Sequence, residues 1–550
     1  MLKLSKILQG PYFLITIFSF IPFLLVFLNS NLIHTHDGLV HLPRMAAYYK
    51  ALGDGQFPVR WAGDLNYGYG MPLFNFIYQT PYLISSFLIF LGFNLVNSFK
   101  LTLSLSYILS GISMFLFAKE LTRNDKWAFF VTILYQFAPF RLVELLVRGS
   151  LGEVYTYVFL PLILYGILKF FRLNNYKYLI LSSVASGLLV LSHNSVSLMF
   201  FAVIILFLFF FSKNIKSFIY AGLSLFLGLL LSAYYWIPAL FEHKFTYGDL
   251  YMKNIYKDHF VEFYKFIIPN LTNSPSLRVE GVVVHVGIFH TILIIFALWV
   301  LISKRKISKQ IRNIIIYSTI LIVLSFLFMQ KISSPLWENL SLLRQFQFPW
   351  RALSVVTFST SLLGIPFMNY LKIRKIAYWA LIFFIVISTI PLWKANLGYN
   401  KINENYYWNF PLTTTYYGET DVIWGAGPAK SYTKQPVEFA VGGGEVSNYF
   451  RKSQVHSYTV EARKNSVVAD NTVYFPGWKA YVDNRDVPIE FQDQNWRGLI
   501  TFPVSKGVHE IRVVFTETRP RLVADAISLS ALLFLCGLSI FSVLRRYEKK

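Results

Sequence analysis

The chain has 550 residues, of which 55% are hydrophobic, 18% aromatic and only 14% charged, with a formal net charge of +23. Soluble domains carry about a quarter charged residues, so this composition excludes an ordinary soluble globular protein and points to one built largely for a bilayer. The single cysteine, Cys536, lies in the last apolar run, which excludes a disulfide framework and a cysteine-based metal centre.

Apolar runs long enough to cross about 30 Å of hydrocarbon recur along the chain. Hydropathy predicts helices over 11–29, 98–118, 127–142, 155–171, 178–193, 195–211, 217–237, 286–303, 313–330, 352–370, 376–392 and 522–543. The first follows Lys3 and Lys6 as a secretory leader would. Its apolar run is long, however, and no small-x-small cleavage site follows, so it reads as an uncleaved first helix. With the N-terminus in the cytoplasm, the inner segments hold 22 of the 51 basic residues against three acids (Glu120, Asp125, Glu548). Among those basic residues are Lys119, Arg123, Lys126, Lys169, Arg172, Lys304, Arg305, Lys306, Lys372, Arg374, Lys549 and Lys550. The remaining 29 basic residues face 25 acidic ones. Short basic loops on one side and long balanced ones on the other follow the positive-inside rule. The charge therefore orients the chain in a membrane and is no nucleic-acid footprint.

Three substantial pieces then fall outside. The first, 30–97, ends in PLFNFIYQTPYLISSFLIFLGF (72–93), which Pro72 and Pro81 interrupt, and which reads as helices at the outer interface. The second, 238–285, is rich in Tyr, Lys and His. The third, 393–521, alternates polar and apolar residues at period two, with turns at Asp483-Asn484 and Lys506-Gly507. In VHEIRVVF, Ile511, Val513 and Phe515 share one face, with Glu510, Arg512 and Val514 on the other. A small β-sandwich is expected there, and no internal repeat is evident.

The first outer piece opens on NLIHTHDGLVHLPRMAAYY (31–49), with His34, His36, Asp37, His41 and Arg44 crowded together. On a helix Asp37 and His41 share a face, with Arg44 a turn further on. A carboxylate beside an imidazole at a dry boundary suits a tuned general base; the plainer reading is a polar helix cap. Imidazole and carboxylate also suit a divalent metal such as Mg or Mn, with Asp37, His41 and Glu153 as candidate ligands. FRLVELLVRGSLGEVY (140–155) adds Arg141, Glu144, Arg148 and Glu153, a set able to hold a phosphate or to form interfacial ion pairs. His193 closes a helix on the same side, and Arg351 follows Trp350 in QFQFPWRAL (345–353), at headgroup depth. Asp37, Glu153, His193 and Arg351 come from four loops that the topology puts on one face.

DGLVHLPR (37–44), FPVRWAGDLNYGYGMPLF (57–74), APFRLVELLVRGSLGE (138–153), LSHN (191–194), FQFPWR (346–351) and YFPGWKAYVD (474–483) resemble the prokaryotic YfhO-like membrane proteins and the 6-pyruvoyl-tetrahydropterin-synthase-related ones. The combination of an acid in the first outer loop, another in the next and a C-terminal outer domain resembles the GT-C superfamily of membrane glycosyltransferases. A pterin activity is not implied, since a soluble pterin enzyme needs a different architecture.

The resemblance implies a GT-C-like helical domain over 1–392, an extracytoplasmic β-rich domain over 393–521, and a last helix with a basic tail over 522–550. It implies a multi-pass protein of a prokaryotic plasma membrane, with both termini cytoplasmic. It also implies transfer of a sugar from a polyprenyl-phosphate carrier to a hydroxyl on a glycan, lipid or protein, with inversion. Asp37 would take the acceptor proton, and Arg148 and Arg351 would meet the leaving phosphate. Glu153, with His41 or His193, would orient the acceptor, and His36 and Arg44 would line the pocket. Trp478 and Tyr481 could stack on sugar rings or fill the β-core. The second acid is Glu153, four residues after Arg148-Gly149, where many GT-C enzymes carry Asp, so a metal requirement is not carried over. A transporter or lipid-carrier flippase and a noncatalytic envelope scaffold are the competing readings.

Overall fold

The computed structural model describes residues 10–270, 274–279, 281–303, 306–371, 374–393, 398–409, 418–425, 427 and 429–547. Lys3, Lys6, Lys304, Arg305, Lys372, Glu548, Lys549 and Lys550 of the expected inner segments lie outside these residues, as do 394–397 and 410–417 of the third outer piece.

Among the described residues, eight helical stretches are long and apolar enough to cross a membrane: Pro11–Leu28, Leu95–Thr122, Leu151–Leu173, Asn194–Phe211, Lys309–Met329, Pro349–Leu371, Lys375–Leu392 and Arg519–Ile540. Two more reach that length only as bent pairs. Asp125–Gln136 joins Pro139–Arg148 at 55°, and Ile215–Leu231 joins Ala233–Phe245 at 65°. The first bend has a local cause: a residue before proline avoids the helical region, and Ala138, ahead of Pro139, is extended at ψ 132°. Each hydropathy segment meets a helix, but Lys177–Val190 and Ile288–Ile302 are shorter apolar ones. Among the described residues, eight to ten helical stretches thus have the length and composition of a span. The stretch 72–93 forms an 11-residue helix, Thr80–Phe90, which rises only about 16 Å.

The two ends of the bundle differ. At one, Glu120 is ringed by Arg123, Lys169 and Arg172 at 2.7, 3.2 and 3.0 Å, and Gln310 bonds to the Leu121 carbonyl. The short basic loops gather here. At the other end, Glu404 accepts the Leu95 and Val96 amides and so caps the long helix Leu95–Thr122, and the β-structure begins.

That β-structure consists of two antiparallel sheets. One runs, in spatial order, Arg485–Val487, Trp478–Val482, Gly507–Phe515, Val455–Ala462, Gly444–Lys452; the other runs Leu499–Val504, Ser466–Val473, Val437–Val441. Ile511 and Val513 are buried while Glu510 and Arg512 face out, as the alternation predicts. Asp483 and Asn484 both adopt positive φ, 50° and 64°, the twist a two-residue hairpin turn needs. The two sheets share one core of Tyr458, Val460, Val468, Trp478, Ile500, Phe502 and Ile511. Trp478 is 3% exposed, so it is a core residue and offers no face to a sugar. Its ring lies edge-on to Trp61 at 5.4 Å. Trp61, from the first outer piece, is fully buried and completes that core.

Ionic contacts seat this domain on the helices. The buried Arg60 donates to Glu517 at 2.9 Å, Asp525 at 2.6 Å and the Tyr234 carbonyl at 2.9 Å. Arg521 pairs with Glu242 at 2.9 Å.

Candidate functional site

The site forms where the first outer piece meets the helix ends. Leu32–Ile33 pairs antiparallel with Tyr399–Asn400. The chain then runs beside the turn after Pro139–Arg148: the His36 amide donates to the Val147 carbonyl at 3.0 Å and the Asp37 amide to the Arg148 carbonyl at 2.9 Å. Two local features make this approach feasible. Val143–Arg148 widens into a π-turn and ends on Gly149 at φ +65°, a left-handed position that glycine takes without strain. A Cβ on Gly149 would lie 2.3 Å from the Thr35 hydroxyl. That hydroxyl in turn accepts the Gly38 amide at 3.0 Å, fixing the start of the helix Gly38–Gly53. The Arg-Gly pair is therefore a packing device as well as a charge.

Behind Asp37 stands a closed ionic wall. Arg148 Nη1 donates to both Glu144 carboxylate oxygens at 2.8 and 2.7 Å and to Glu153 Oε1 at 2.8 Å. Arg351 Nε donates to the same Glu153 oxygen at 2.9 Å, and its Nη1 to the Phe346 carbonyl and Gln347 Oε1, each at 2.8 Å. Trp350 lies 4.7 Å beneath the Arg148 guanidinium and Phe348 lies 4.6 Å beneath that of Arg351. All four charged residues are buried. Such a network is tenable in a dry setting because acids and bases balance and the hydrogen bonds are made.

His193 Nδ1 accepts the Val196 amide at 3.3 Å and so caps the helix Asn194–Phe211. This leaves Nε2 3.7 Å from Glu153. The helix-end role and the site role coincide in one side chain. Its ring stacks on Tyr78 at 5.6 Å, Tyr78 stacks on Tyr82 at 5.7 Å, and Tyr82 shares a 2.9 Å hydrogen bond with His41 Nδ1. Burial, then the charges of Arg44 and Arg148, hold the His41 imidazole well below its ordinary pKa, so it is neutral.

Asp37 differs from the other carboxylates here. Protein surrounds it, yet it keeps an accessible edge, and among the described residues its carboxylate has neither an ion pair nor a hydrogen bond. Burial raises its pKa above the usual carboxylate value, with Glu153 adding to the rise and Arg148, Arg44 and His36 opposing it. Burial likewise lowers His36, which lies along the edge of the pocket near Gly281. A carboxylate so placed can accept a proton from a bound hydroxyl.

The eight residues singled out in the sequence (His36, Asp37, His41, Arg44, Arg148, Glu153, His193, Arg351) thus meet in one neighbourhood. Two expectations change. The suggested metal ligands Asp37, His41 and Glu153 do not assemble: His41 is engaged by Tyr82, Glu153 by two arginines, and among the described residues no three His, Cys, Asp or Glu form a metal-holding group. Arg148 and Arg351, expected to face a phosphate, are instead turned onto carboxylates. Tyr78, Tyr82 and the role of Glu144 were not foreseen. The tyrosines lie four apart in a stretch that reads as interfacial, and only that i, i+4 spacing hinted at a shared face.

A multi-span helical bundle with a balanced ionic pocket at one end, and a two-sheet β-structure joined to the first outer piece through Trp61, defines a polytopic membrane protein whose candidate site lies at the bundle end. Residues 74–396 match the 6-pyruvoyl-tetrahydropterin synthase related domain, described as a membrane protein, and the chain belongs to that family. No curated protein matches it in sequence. Among solved structures it is similar to the Archaeoglobus fulgidus oligosaccharyltransferase (12% identity, 72% of this chain and 56% of that one, TM-score 0.45). It is also similar to the same organism's oligosaccharyltransferase AglB in complex with an inhibitory peptide and a dolichol-phosphate (13%, 70% and 54%, 0.44). A third is the arabinofuranosyltransferase AftD from Mycobacteria (15%, 70% and 27%, 0.42). The chain thus spans about half the length of the first two and about a quarter of the third.

Proposed function

We propose that the protein is a membrane glycosyltransferase of GT-C type. It moves a sugar from a polyprenyl-phosphate carrier to an acceptor hydroxyl on a glycan, lipid or protein, with inversion. The acceptor oxygen bonds to the anomeric carbon as the bond from that carbon to the phosphate oxygen breaks; Asp37 takes the acceptor proton and the phosphate leaves with the electron pair. Residues 1–392 form the catalytic helical domain, 393–521 the domain that positions the acceptor, and 522–550 the last anchor. The site faces the outside of a prokaryotic plasma membrane, with both termini in the cytoplasm. One observation carries this reading: an accessible, unpaired carboxylate at the edge of a buried, charge-balanced and aromatic pocket, beside the buried Arg44 guanidinium that an oxyanion leaving group would meet. Glu153 and His193 shape the wall against which the substrates lie.

The test uses the full chain in vesicles with a labelled lipid-linked sugar. Asp37→Asn should keep its fold and lose about 10²–10⁴-fold in transfer; an Asp37→Asn variant that transfers normally would sink the proposal. The two bent helix pairs favour a second reading, a lipid-carrier flippase, since broken helices recur in carriers. Movement of the labelled lipid across the vesicle without sugar transfer selects that reading.

A further inference from the structure

Six charged side chains that line the pocket among the described residues divide into two sets. Glu144, Arg148, Glu153 and Arg351 are joined by contacts of 2.7–2.9 Å, so two carboxylates neutralise two guanidiniums and little charge is left for a ligand. Asp37 and Arg44 stand outside this set. Arg44 is only 9% exposed, and its Nε has neither water access nor a partner. Among the described residues no ion pair reaches it. Its neighbours are the Tyr82 and Tyr78 phenols, with Glu419 and Asp37 acting on it through space. A buried cation flanked by hydroxyls rather than by a carboxylate is an incomplete arrangement, and an anion completes it.

Placement supports the same conclusion. Asp37 and Arg44 are seven residues apart, hence on one face of the helix Gly38–Gly53 and its cap. That spacing is about 10.5 Å along the axis at 1.5 Å per residue. The Arg44 charge is felt at Asp37 through space. The acid thus stands at the start of the helix and the cation two turns on, both presented to one side of it.

We propose that Arg44, flanked by the Tyr78 and Tyr82 hydroxyls, is the contact site for the phosphoryl group of the prenyl-phosphate donor, while Arg148 and Arg351 act as positioning residues through Glu153. This rests on the glycosyltransferase reading for the identity of the donor. In the transfer, Arg44 meets the second negative charge that the phosphate gains when the anomeric bond breaks, and Asp37 holds the acceptor's proton on the other side.

The experiment measures binding without turnover. The full chain in phospholipid nanodiscs, with no sugar donor, is titrated with fluorescent farnesyl phosphate and, separately, with equally labelled farnesol. The native chain should prefer the phosphate by about tenfold or more, and Arg44→Gln should reduce that preference to about twofold or less. Arg351→Gln should keep phosphate affinity within about threefold while lowering kcat in the vesicle assay. An unchanged preference in Arg44→Gln overturns the assignment, as does a loss in Arg351→Gln equal to that in Arg44→Gln. Arg44→Lys, which keeps the charge without the planar fork, should fall between native and glutamine; if the glutamine variant does not fold, an unaltered preference in the lysine variant overturns the proposal. Inorganic phosphate is the free-anion arm: displacement of the probe that depends on Arg44 supports the same site, and displacement independent of Arg44 counts against it. Because no sugar is present, a chain that binds through Arg44 yet never transfers refutes the transferase reading alone.

Discussion

Neutralising Glu153 is the most direct probe of the ionic wall. Glu153 Oε1 accepts from Arg148 at 2.8 Å and from Arg351 at 2.9 Å, in a fully buried position. Glu153→Gln keeps the shape and removes the charge, so the wall passes from two acids and two cations to one acid and two cations. Arg148 retains its two bonds to Glu144, but Arg351 is left with the neutral Phe346 carbonyl and Gln347 amide. Orphaning a buried charge costs about 3–5 kcal/mol. Arg351→Met alone should cost less, because Glu153 keeps Arg148. In the double variant Glu144 and Arg148 remain as a balanced pair, so its loss should fall short of the sum of the single losses by about 2 kcal/mol or more. Equilibrium unfolding in mixed detergent micelles measures all three. A coupling below about 0.5 kcal/mol would refute the reasoning, since it would mean the two residues do not sense each other's charge.

The base assignment predicts a pH profile. Burial raises the Asp37 carboxyl and the base works only when ionised, so kcat/KM should fall as pH drops through a value above the ordinary carboxylate pKa of about 3.9. Arg44→Gln, which removes an opposing cation, should move that limb to still higher pH; a limb at or below the ordinary value contradicts the assignment. Gly149→Ala forces a Cβ to 2.3 Å from the Thr35 hydroxyl at a left-handed φ. It should lower stability by about 1–3 kcal/mol and reduce transfer along with it, read by thermal unfolding and the vesicle assay. Trp61→Ala empties a large site in the β-core and should cost about 3–5 kcal/mol, seen as faster proteolysis of the 437–515 region than of the helices.

Much of this arrangement was legible because it rests on patterns of one dimension. Apolar length placed the helices, and period-two alternation placed Ile511 and Val513 inside their sheet. Crowding of titratable residues marked 36–44. What remained hidden depends on three-dimensional pairing. Nothing in the spacing of Arg148 and Arg351 tells that both converge on a single oxygen of Glu153, because that contact joins residues 198 apart in sequence. Nor does YFPGWKAYVD tell that Trp478 is turned inward, since exposed and buried tryptophans read alike until Trp61 is found against it. Helix ends were also hidden: the run expected over 178–193 forms Lys177–Val190, which at 14 residues rises about 21 Å, less than the hydrocarbon thickness.

Those hidden pairings give the first outer piece a mechanical meaning. At one end it carries Asp37, whose amide donates to the Arg148 carbonyl and whose neighbour Gly38 donates its amide to the Thr35 hydroxyl. At the other it inserts Arg60 among Glu517, Asp525 and the Tyr234 carbonyl and places Trp61 in the β-core. Between them runs the 16-residue helix Gly38–Gly53, about 24 Å long. Its C-terminal Lys50 is fixed by Asp64 at 2.7 Å and by the Trp408 carbonyl at 2.8 Å. A helix pinned at both ends resists bending far better than a loop would, so the β-structure and the carboxylate keep one separation.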